Sequence, residues 1–243
     1  MFDLNIPAIN LEIPRITTEQ MIEVDRLMIG YYGITLFQMM ENAGLNLARL
    51  AIDFEDNSDN FLILAGSGGN GGGTLVAARR LMGWGKKVKV RTSKALDKYQ
   101  GVPAHQLYIL QQLKADIKPF DPAENLSADI ILDGIIGYSI NGSPGGVAAQ
   151  MIEMANRSTA KTISLDTPSG IELTEGIAYV PSVLSDATLT LALPKTGLFK
   201  AEIKKRVNQL YLADIGVPLQ LYQKMGLDLK ENPFKQSGIV RLY

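Results

Sequence analysis

Apolar positions along the chain alternate between two patterns, and this alternation predicts an α/β fold. One pattern is a short apolar run typical of a buried strand, and the other places apolar residues at helical spacing. The predicted strands span 61–66, 88–92, 128–133, 162–166, 187–193 and 210–215, and the predicted helices span 17–30, 36–52, 74–82, 103–114 and 146–156. Strands separated by helices of about ten residues indicate βαβ units, so we expect a largely parallel sheet covered on both faces.

Local signals mark the first helix and the two ends of the chain. Thr17 and Gln20 have the spacing of a capping box, and Gly30 is a stop signal. Residues 1–16 are interrupted by proline and are predicted to form an extended arm, and the polar residues 224–243 are expected to form a partly mobile tail. Because no repeat or linker divides the chain, residues 1–243 are interpreted as a single domain.

Composition excludes several classes of function. The net charge is −1 with both signs interspersed, so there is no basic surface of the kind that binds nucleic acid. The absence of cysteine excludes disulfides, thiolate metal sites and a cysteine nucleophile. The N-terminus lacks the features of a signal peptide, and no apolar run reaches the ~20 residues that span a bilayer. We therefore expect a soluble, cytoplasmic protein with no membrane contact.

A glycine-rich segment follows the first predicted strand. Six of the eight residues 66–73 are glycine, and a helical pattern comes next. Such a loop exposes backbone N–H groups to an anion such as a phosphate, which favours a nucleotide-like ligand. The spacing of Gly66, Gly68 and Gly71 matches a dinucleotide fingerprint, but residues 91–94 supply no carboxylate for a ribose, and the loop lacks the Gly-Lys-Ser/Thr of a phosphate-binding NTPase loop. A tight turn that only packs helix on strand is the alternative.

Polar residues accumulate after the other strands, where parallel sheets bind ligands. Asp166 ends a buried strand and is the candidate general acid or base, with a role in capping the turn 167–170 as the alternative. Asn70, Asp133 and Ser169 are hard oxygen donors suited to a monovalent cation, although Asp133 is equally suited to a turn or helix cap.

Six motifs in order resemble the YjeF N-terminal domain family, whose enzymes are NAD(P)HX epimerases, over about residues 17–218. The motifs are Met40-Glu41-Asn42-Ala43-Gly44, Gly66-Ser67-Gly68-Gly69-Asn70-Gly71-Gly72, Asp133-Gly134-Ile135-Ile136-Gly137, Asp166-Thr167-Pro168-Ser169-Gly170, Pro194-Lys195-Thr196-Gly197-Leu198 and Ala213-Asp214-Ile215-Gly216-Val217-Pro218. The family interconverts the R and S forms of hydrated NAD(P)H, and a dehydratase then restores the cofactor.

The resemblance implies a Rossmann-like three-layer αβα sandwich, frequently dimeric, with one bound potassium ion. By position, Asn70, Asp133 and Ser169 would hold the potassium ion, and Asp166 would be catalytic. NADHX or NADPHX would touch Asp166 and two loops, which consist of Gly69, Asn70, Gly71, Gly72, Gly73, and of Gly137, Tyr138, Ser139, Ile140, Asn141, Gly142 and Ser143. The dehydratase is expected to be a separate protein, and the role of Lys195 is left open between electrostatic assistance and anchoring of its loop.

Four positions depart from the family pattern. Gly69 and Gly73 stand where relatives have Asn and Asp, Thr74 replaces a Gly, and Asn141 replaces a basic residue. Two functions follow: an NAD(P)HX epimerase with Asp166 as acid and base, or a dimeric module that binds a nucleotide-like ligand without turnover. A generic nucleotide-dependent enzyme of another class is a third alternative.

Overall fold

The computed structural model describes residues 6–9, 12–55 and 57–243 and places eight strands in one sheet. The order across this sheet is β10-β9-β8-β5-β4-β1-β2-β3, with every neighbouring pair parallel except β10 and β9. Its strands are β1 (Asn60–Ala65), β2 (Lys87–Thr92), β3 (Asp116–Pro119), β4 (Ile130–Gly134), β5 (Lys161–Leu165), β8 (Ala187–Leu191), β9 (Gln209–Ala213) and β10 (Ile239–Arg241). A separate hairpin pairs β6 (Ile171–Glu172) with β7 (Ile177–Ala178). The predicted α/β class with a mostly parallel sheet is confirmed.

Helices cover both faces of the sheet, so the molecule has three layers. They are α1 (Thr18–Gly30), α2 (Leu36–Phe54), α3 (Gly69–Gly83), α4 (Gly101–Gln112), α5 (Gly146–Arg157), α6 (Ala201–Val207) and α7 (Leu219–Lys224). Alternate residues of β1 show the two faces: Phe61 and Ile63 pack in the core with α1–α4 and α7, whereas Leu62 and Leu64 pack with α5. Both faces are apolar because a parallel strand is buried on both sides.

Helix α1 begins as the sequence predicts. Thr17 is the N-cap, its hydroxyl accepts the Gln20 N–H, and the Gln20 side chain accepts the Thr17 N–H in return. These two bonds satisfy donors that the first turn of a helix leaves without partners.

The glycine-rich segment differs from its prediction. The helix predicted from residue 74 already begins at Gly69, so residues 69–73 are helical and not a loop. Glycine is a poor helix former, but Gly44 and Gly73 let α2 and α3 approach closely, because a Cβ on Gly44 would lie 2.5 Å from the Gly73 carbonyl oxygen. Tertiary packing therefore overrides the local preference.

Described residues near both ends of the chain make β-type pairings. The predicted arm 1–16 lies outside the described residues at 1–5 and 10–11, whereas Ala8 bridges to Arg241 and Ile16 bridges to Lys195. The segment 224–243, expected as a partly mobile tail, contributes β10, whose Val240 pairs with Leu212 of β9. Strands β3, β6, β7 and β10 and helices α6 and α7 are too short for the sequence pattern to predict. In the described part of the chain, no helix is both long enough and apolar enough to cross a membrane.

Candidate active site

The site residues predicted from sequence meet at the carboxyl ends of β4, β5 and β8 and at the start of α3. Asp133 lies within β4, Asp166 follows β5, and Lys195 lies a few residues beyond β8. Since β4, β5 and β8 are parallel neighbours, their carboxyl ends share one edge of the sheet.

A buried ion pair joins Asp166 and Lys195. The Lys195 side chain is completely buried and that of Asp166 is 2% exposed, and the ammonium donates to Asp166 Oδ1 at 2.5 Å. The same ammonium donates to the Leu191 carbonyl at 2.8 Å and to the Thr190 hydroxyl at 3.3 Å. The ammonium of Lys195 is thus held between Asp166 and the end of β8, a position compatible with both electrostatic assistance and anchoring of its loop.

The two oxygens of Asp166 differ. Oδ1 accepts hydrogen bonds from Lys195, the Thr190 hydroxyl and the Leu191 N–H. Oδ2 accepts none from the residues that the structure describes. Asp166 has φ +64°, in the left-handed region that Asp tolerates better than most residues, so the chain turns sharply after β5. This carboxylate therefore has three hydrogen-bond donors on one oxygen and none from the described residues on the other.

Asp133 has the opposite character. Its Oδ1 accepts from the Ile135 N–H and the Ser169 hydroxyl, and its Oδ2 accepts from the Ser169 N–H and the Ser164 hydroxyl, at 2.6–3.2 Å. Complete burial raises the pKa of the Asp133 carboxyl above its ordinary value, while these four hydrogen bonds act to lower it. With both oxygens occupied, Asp133 fixes the turn that carries Ser169 and is not a second acid and base.

Asn70 links the helix start to two strand ends. Its amide donates to the Leu165 carbonyl at 2.6 Å, at the end of β5. Its side-chain carbonyl faces Gly137, where a Cβ would lie 2.8 Å from that oxygen. A side chain at position 137 would therefore have to displace the Asn70 amide.

The three predicted potassium ligands, Asn70, Asp133 and Ser169, supply oxygen atoms, and Asp133 is the one carboxylate among them. Ser169 Oγ lies 2.6 Å from Asp133 Oδ1, and Asn70 directs its carbonyl toward the loop after β4. Among the described residues, no group of three or more His, Asp or Glu side chains could hold a metal ion. One carboxylate with neutral oxygens suits a hard monovalent cation.

The glycines at the start of α3 have two different functions. Gly66 and Gly71 allow close approach, since a Cβ on either would overlap a backbone carbonyl of Ile135 or Gly66. Gly68, the N-cap, and Gly69 face open space, with no atom within 4 Å of an added Cβ. The structure therefore leaves open space beside Gly68 and Gly69 at the start of α3.

The departures at 73 and 74 are accommodated by packing. A Cβ on Gly73 would lie 2.5 Å from the Leu165 side chain, so an apolar residue fills the space beside it. Thr74 is fully buried, and its hydroxyl donates to the Gly71 carbonyl at 3.0 Å. Neither position opens toward the site, and both belong to the α3 packing.

The second predicted substrate loop, 137–143, is held through a residue that the sequence analysis missed. The Tyr138 hydroxyl donates to Asp25 Oδ2 at 2.6 Å. Asp25 lies in α1, four residues after Met21 and three before Met28, on the buried stripe of that helix. An acidic residue within an apolar helical stripe is the signal that could have found it.

Comparison with known proteins gives the family. A model described as "YjeF-related protein N-terminus" matches residues 36–197, which is most of the chain. The chain belongs to this family. The resemblance stated from the six motifs is thereby confirmed.

Relatives of this YjeF-related domain carry consistent names. It is 41% identical to an NAD(P)H-hydrate epimerase of Dehalogenimonas lykanthroporepellens, over 95% of this chain and 93% of that protein. It is 34% identical to an NAD(P)H-hydrate epimerase of Lentilactobacillus buchneri, over 83% of this chain and 94% of that protein. A bifunctional NAD(P)H-hydrate repair enzyme of Moorella thermoacetica is 33% identical over 85% of this chain, which spans 41% of that longer protein.

A solved structure shares the fold. The crystal structure of yeast ynu0 superposes with a TM-score of 0.79 at 21% identity, covering 94% of this chain and all of that one. At this identity the likeness concerns architecture alone, and it agrees with the three-layer arrangement described above.

Proposed function

We propose that this protein is an NAD(P)H-hydrate epimerase that interconverts the R and S forms of hydrated NAD(P)H. The observation that carries the proposal is the buried Asp166–Lys195 pair, with Asp166 Oδ2 left free, in a chain 41% identical to a relative of that name. A carboxylate with one anchored and one free oxygen is suited to taking and returning a proton.

The reaction breaks and remakes one carbon–oxygen bond of the hydrated nicotinamide ring. Protonated Asp166 gives the proton on Oδ2 to the ring hydroxyl, which leaves as water, and the lone pair of the ring nitrogen stabilises the resulting cation. Water then adds to the other face of the ring carbon and returns a proton to the Asp166 carboxylate. Atoms and protons balance, and the configuration at that carbon is inverted.

Binding of the dinucleotide would use the start of α3. Open space beside Gly68 and Gly69 at the start of this 15-residue helix supports the proposal, because a helix N-terminus attracts phosphate. This contact needs no side chain, so the glycine at 69 does not remove it. The exposed residues of loop 137–143, Asn141 among them, would cover the other side of the substrate.

A potassium ion held by Asn70, Asp133 and Ser169 is part of the proposal. When bound, it would supply a positive charge that organises the turns after β4 and β5. If it binds the native state alone, it raises the melting temperature with concentration. We expect a higher melting temperature in KCl than in tetramethylammonium chloride at equal ionic strength, and no difference in an Asp133→Asn variant.

The remaining proposals concern the assembly and its surroundings. We infer a homodimer in the cytoplasm that works together with an NAD(P)HX dehydratase. The resemblance supports the dimer, and the bifunctional name of the longer Moorella relative supports the link between two repair activities.

The decisive experiment supplies pure S-NADHX and follows the R isomer by chromatography. Wild type is expected to exceed the spontaneous rate, and Asp166→Asn is expected to lose about 10²–10⁴-fold in kcat/KM, the range that general acid–base catalysis contributes. Binding of ADP-ribose by a wild type with no turnover would identify the non-enzymatic binding module instead.

A further inference from the structure

Helix α1 is fastened to the segment that carries Lys195, although it precedes every strand and lies outside residues 36–197 of the family match. The Ile16 N–H donates to the Pro194 carbonyl at 3.0 Å, and the Thr196 N–H donates to the Ile16 carbonyl at 3.0 Å. The chain then enters α1 at once, so the position of this helix is set by the active-site segment.

About two turns into α1, Asp25 reaches the same site. Burial raises the pKa of its carboxyl, and the negative charge of Asp166 adds to this effect. The hydrogen bond from Tyr138 and the positive charge of Lys195 act to lower the pKa of Asp25. Asp25 therefore lies within electrostatic range of the Asp166–Lys195 pair. Glu23 and Arg26 of the same helix pair with each other in solvent.

The partner of Asp25 is the anchor of loop 137–143. In the described part of the chain, the Tyr138–Asp25 bond is the hydrogen bond that ties residues 137–143 to other elements. Ser139, Asn141 and Ser143 are exposed. Burial and the nearby Asp25 carboxylate raise the pKa of the Tyr138 hydroxyl, so it remains the donor across the physiological range.

We propose that Asp25 is a positioning residue of the epimerase site, which accepts the Tyr138 hydroxyl and so fixes loop 137–143 beside the Asp166–Lys195 pair. The inference rests on the function proposed above for the identity of the reaction. The contact itself is independent of that function and is testable without turnover.

The test separates an acceptor from an acid. Asp25→Asn keeps an oxygen acceptor for Tyr138, Asp25→Leu removes it, and Tyr138→Phe removes the donor. Glu23→Leu is the matched control, because it deletes an exposed carboxylate from the same helix. Hydrogen exchange of residues 137–143 is measured in each protein without substrate, together with KM and kcat for S-NADHX.

Asp25→Leu and Tyr138→Phe should each speed exchange in loop 137–143 and lower kcat/KM roughly tenfold, as expected for one lost hydrogen bond. Asp25→Asn should retain most of the wild-type kcat/KM. The double variant Asp25→Leu/Tyr138→Phe should have a kcat/KM no lower than that of either single variant. Glu23→Leu should match wild type in both measurements.

Three results would overturn the proposal. Unchanged loop exchange in Asp25→Leu and Tyr138→Phe would show that the contact does not position the loop. A loss in Asp25→Asn as large as in Asp25→Leu would make Asp25 an acid and not an acceptor. Additive losses in the double variant would mean that the two residues act separately. If Asp25→Leu fails to fold, Tyr138→Phe tests the same contact. A wild type without epimerase activity would refute the proposed function, and the hydrogen-exchange data would still show whether the contact positions the loop.

Discussion

Among the residues that the structure describes, two cationic side chains are completely buried, Lys195 in the site and Arg91 in β2, and their partners differ. Arg91 donates to both oxygens of Glu124 at 2.6 Å and to both oxygens of Asp116 at 3.2 Å. The side chains of Glu124 and Asp116 are 26% and 39% exposed, whereas Asp166, the partner of Lys195, is 2% exposed.

The Arg91 cluster has the features of a structural ion pair, whereas the Asp166–Lys195 pair has the features expected of the proposed catalytic pair. At Arg91 the carboxylates keep part of their hydration, and all four of their oxygens are occupied by the guanidinium. At Lys195 both charges are desolvated, which costs several kcal/mol per ion before the attraction offsets it, and one oxygen of Asp166 remains free. A desolvated charge with unused hydrogen-bonding capacity is typical of a functional site.

The largest effect on stability and activity is expected from removing the Lys195 cation. Lys195→Met leaves the Asp166 carboxylate buried without a counter-charge, so we expect a loss of about 3–5 kcal/mol in the free energy of unfolding. Epimerase activity should fall at least ~10²-fold, because the proton-transfer pair is lost. Urea unfolding and the S-NADHX assay measure the two effects, and near-normal activity in this variant would refute the role given to the pair.

Asp133 tests whether hydrogen bonds alone hold a buried carboxylate at this edge. Asp133→Asn replaces one acceptor oxygen by an amide, so the buried Ser169 N–H or hydroxyl loses its acceptor. We expect a loss of about 1–3 kcal/mol, or about 2–4 °C in melting temperature for each kcal/mol. A variant as stable as wild type, by calorimetry without potassium, would show that the four bonds do not hold the turn.

Arg91→Met should have a smaller effect than Lys195→Met. Glu124 and Asp116 regain full hydration when the guanidinium is removed, so the loss in the free energy of unfolding should be about 1 kcal/mol, the upper end of the range for exposed pairs. Activity at saturating substrate should stay within about twofold of wild type. If Arg91→Met lost as much stability as Lys195→Met, solvent exposure of the partner carboxylates would not determine how much stability is lost when the cation is removed.

The smallest expected effect is a loss of stability at low pH that originates in the ion pair between Arg91 and Glu124. The hydrogen bonds from Arg91 hold the pKa of the Glu124 carboxyl below its ordinary value. A lowered folded-state pKa contributes stability above the ordinary glutamate pKa of about 4.3, and this is lost as the pH falls through the folded value. The measurement is the urea unfolding midpoint of wild type and of Glu124→Gln at pH 6 and at pH 3.5. The difference between the two proteins should be smaller at pH 3.5 than at pH 6. An equal gap at both values would contradict this origin.

Much of the fold follows from local patterns. The strands of the central sheet from β1 to β9 except β3, the capping box at Thr17 and the helices α1, α2 and α5 are predicted from sequence, because apolar runs and cap residues act over a few positions. Strands β3 and β10 and helices α6 and α7 are not, since they carry few residues and gain their stability from the neighbours they pack on.

The candidate site divides in the same way. By itself, the sequence determines that Asp133, Asp166 and the glycines fall at one edge of a parallel sheet, because strand order along the chain and the βαβ handedness leave little choice. Only the tertiary structure decides that residues 69–73 are helical, that Asp133 has both oxygens occupied, and that Lys195 and Asp25 converge on the site. Those properties depend on contacts between distant segments, such as Asp25 with Tyr138, which are 113 residues apart, and no local pattern specifies such contacts.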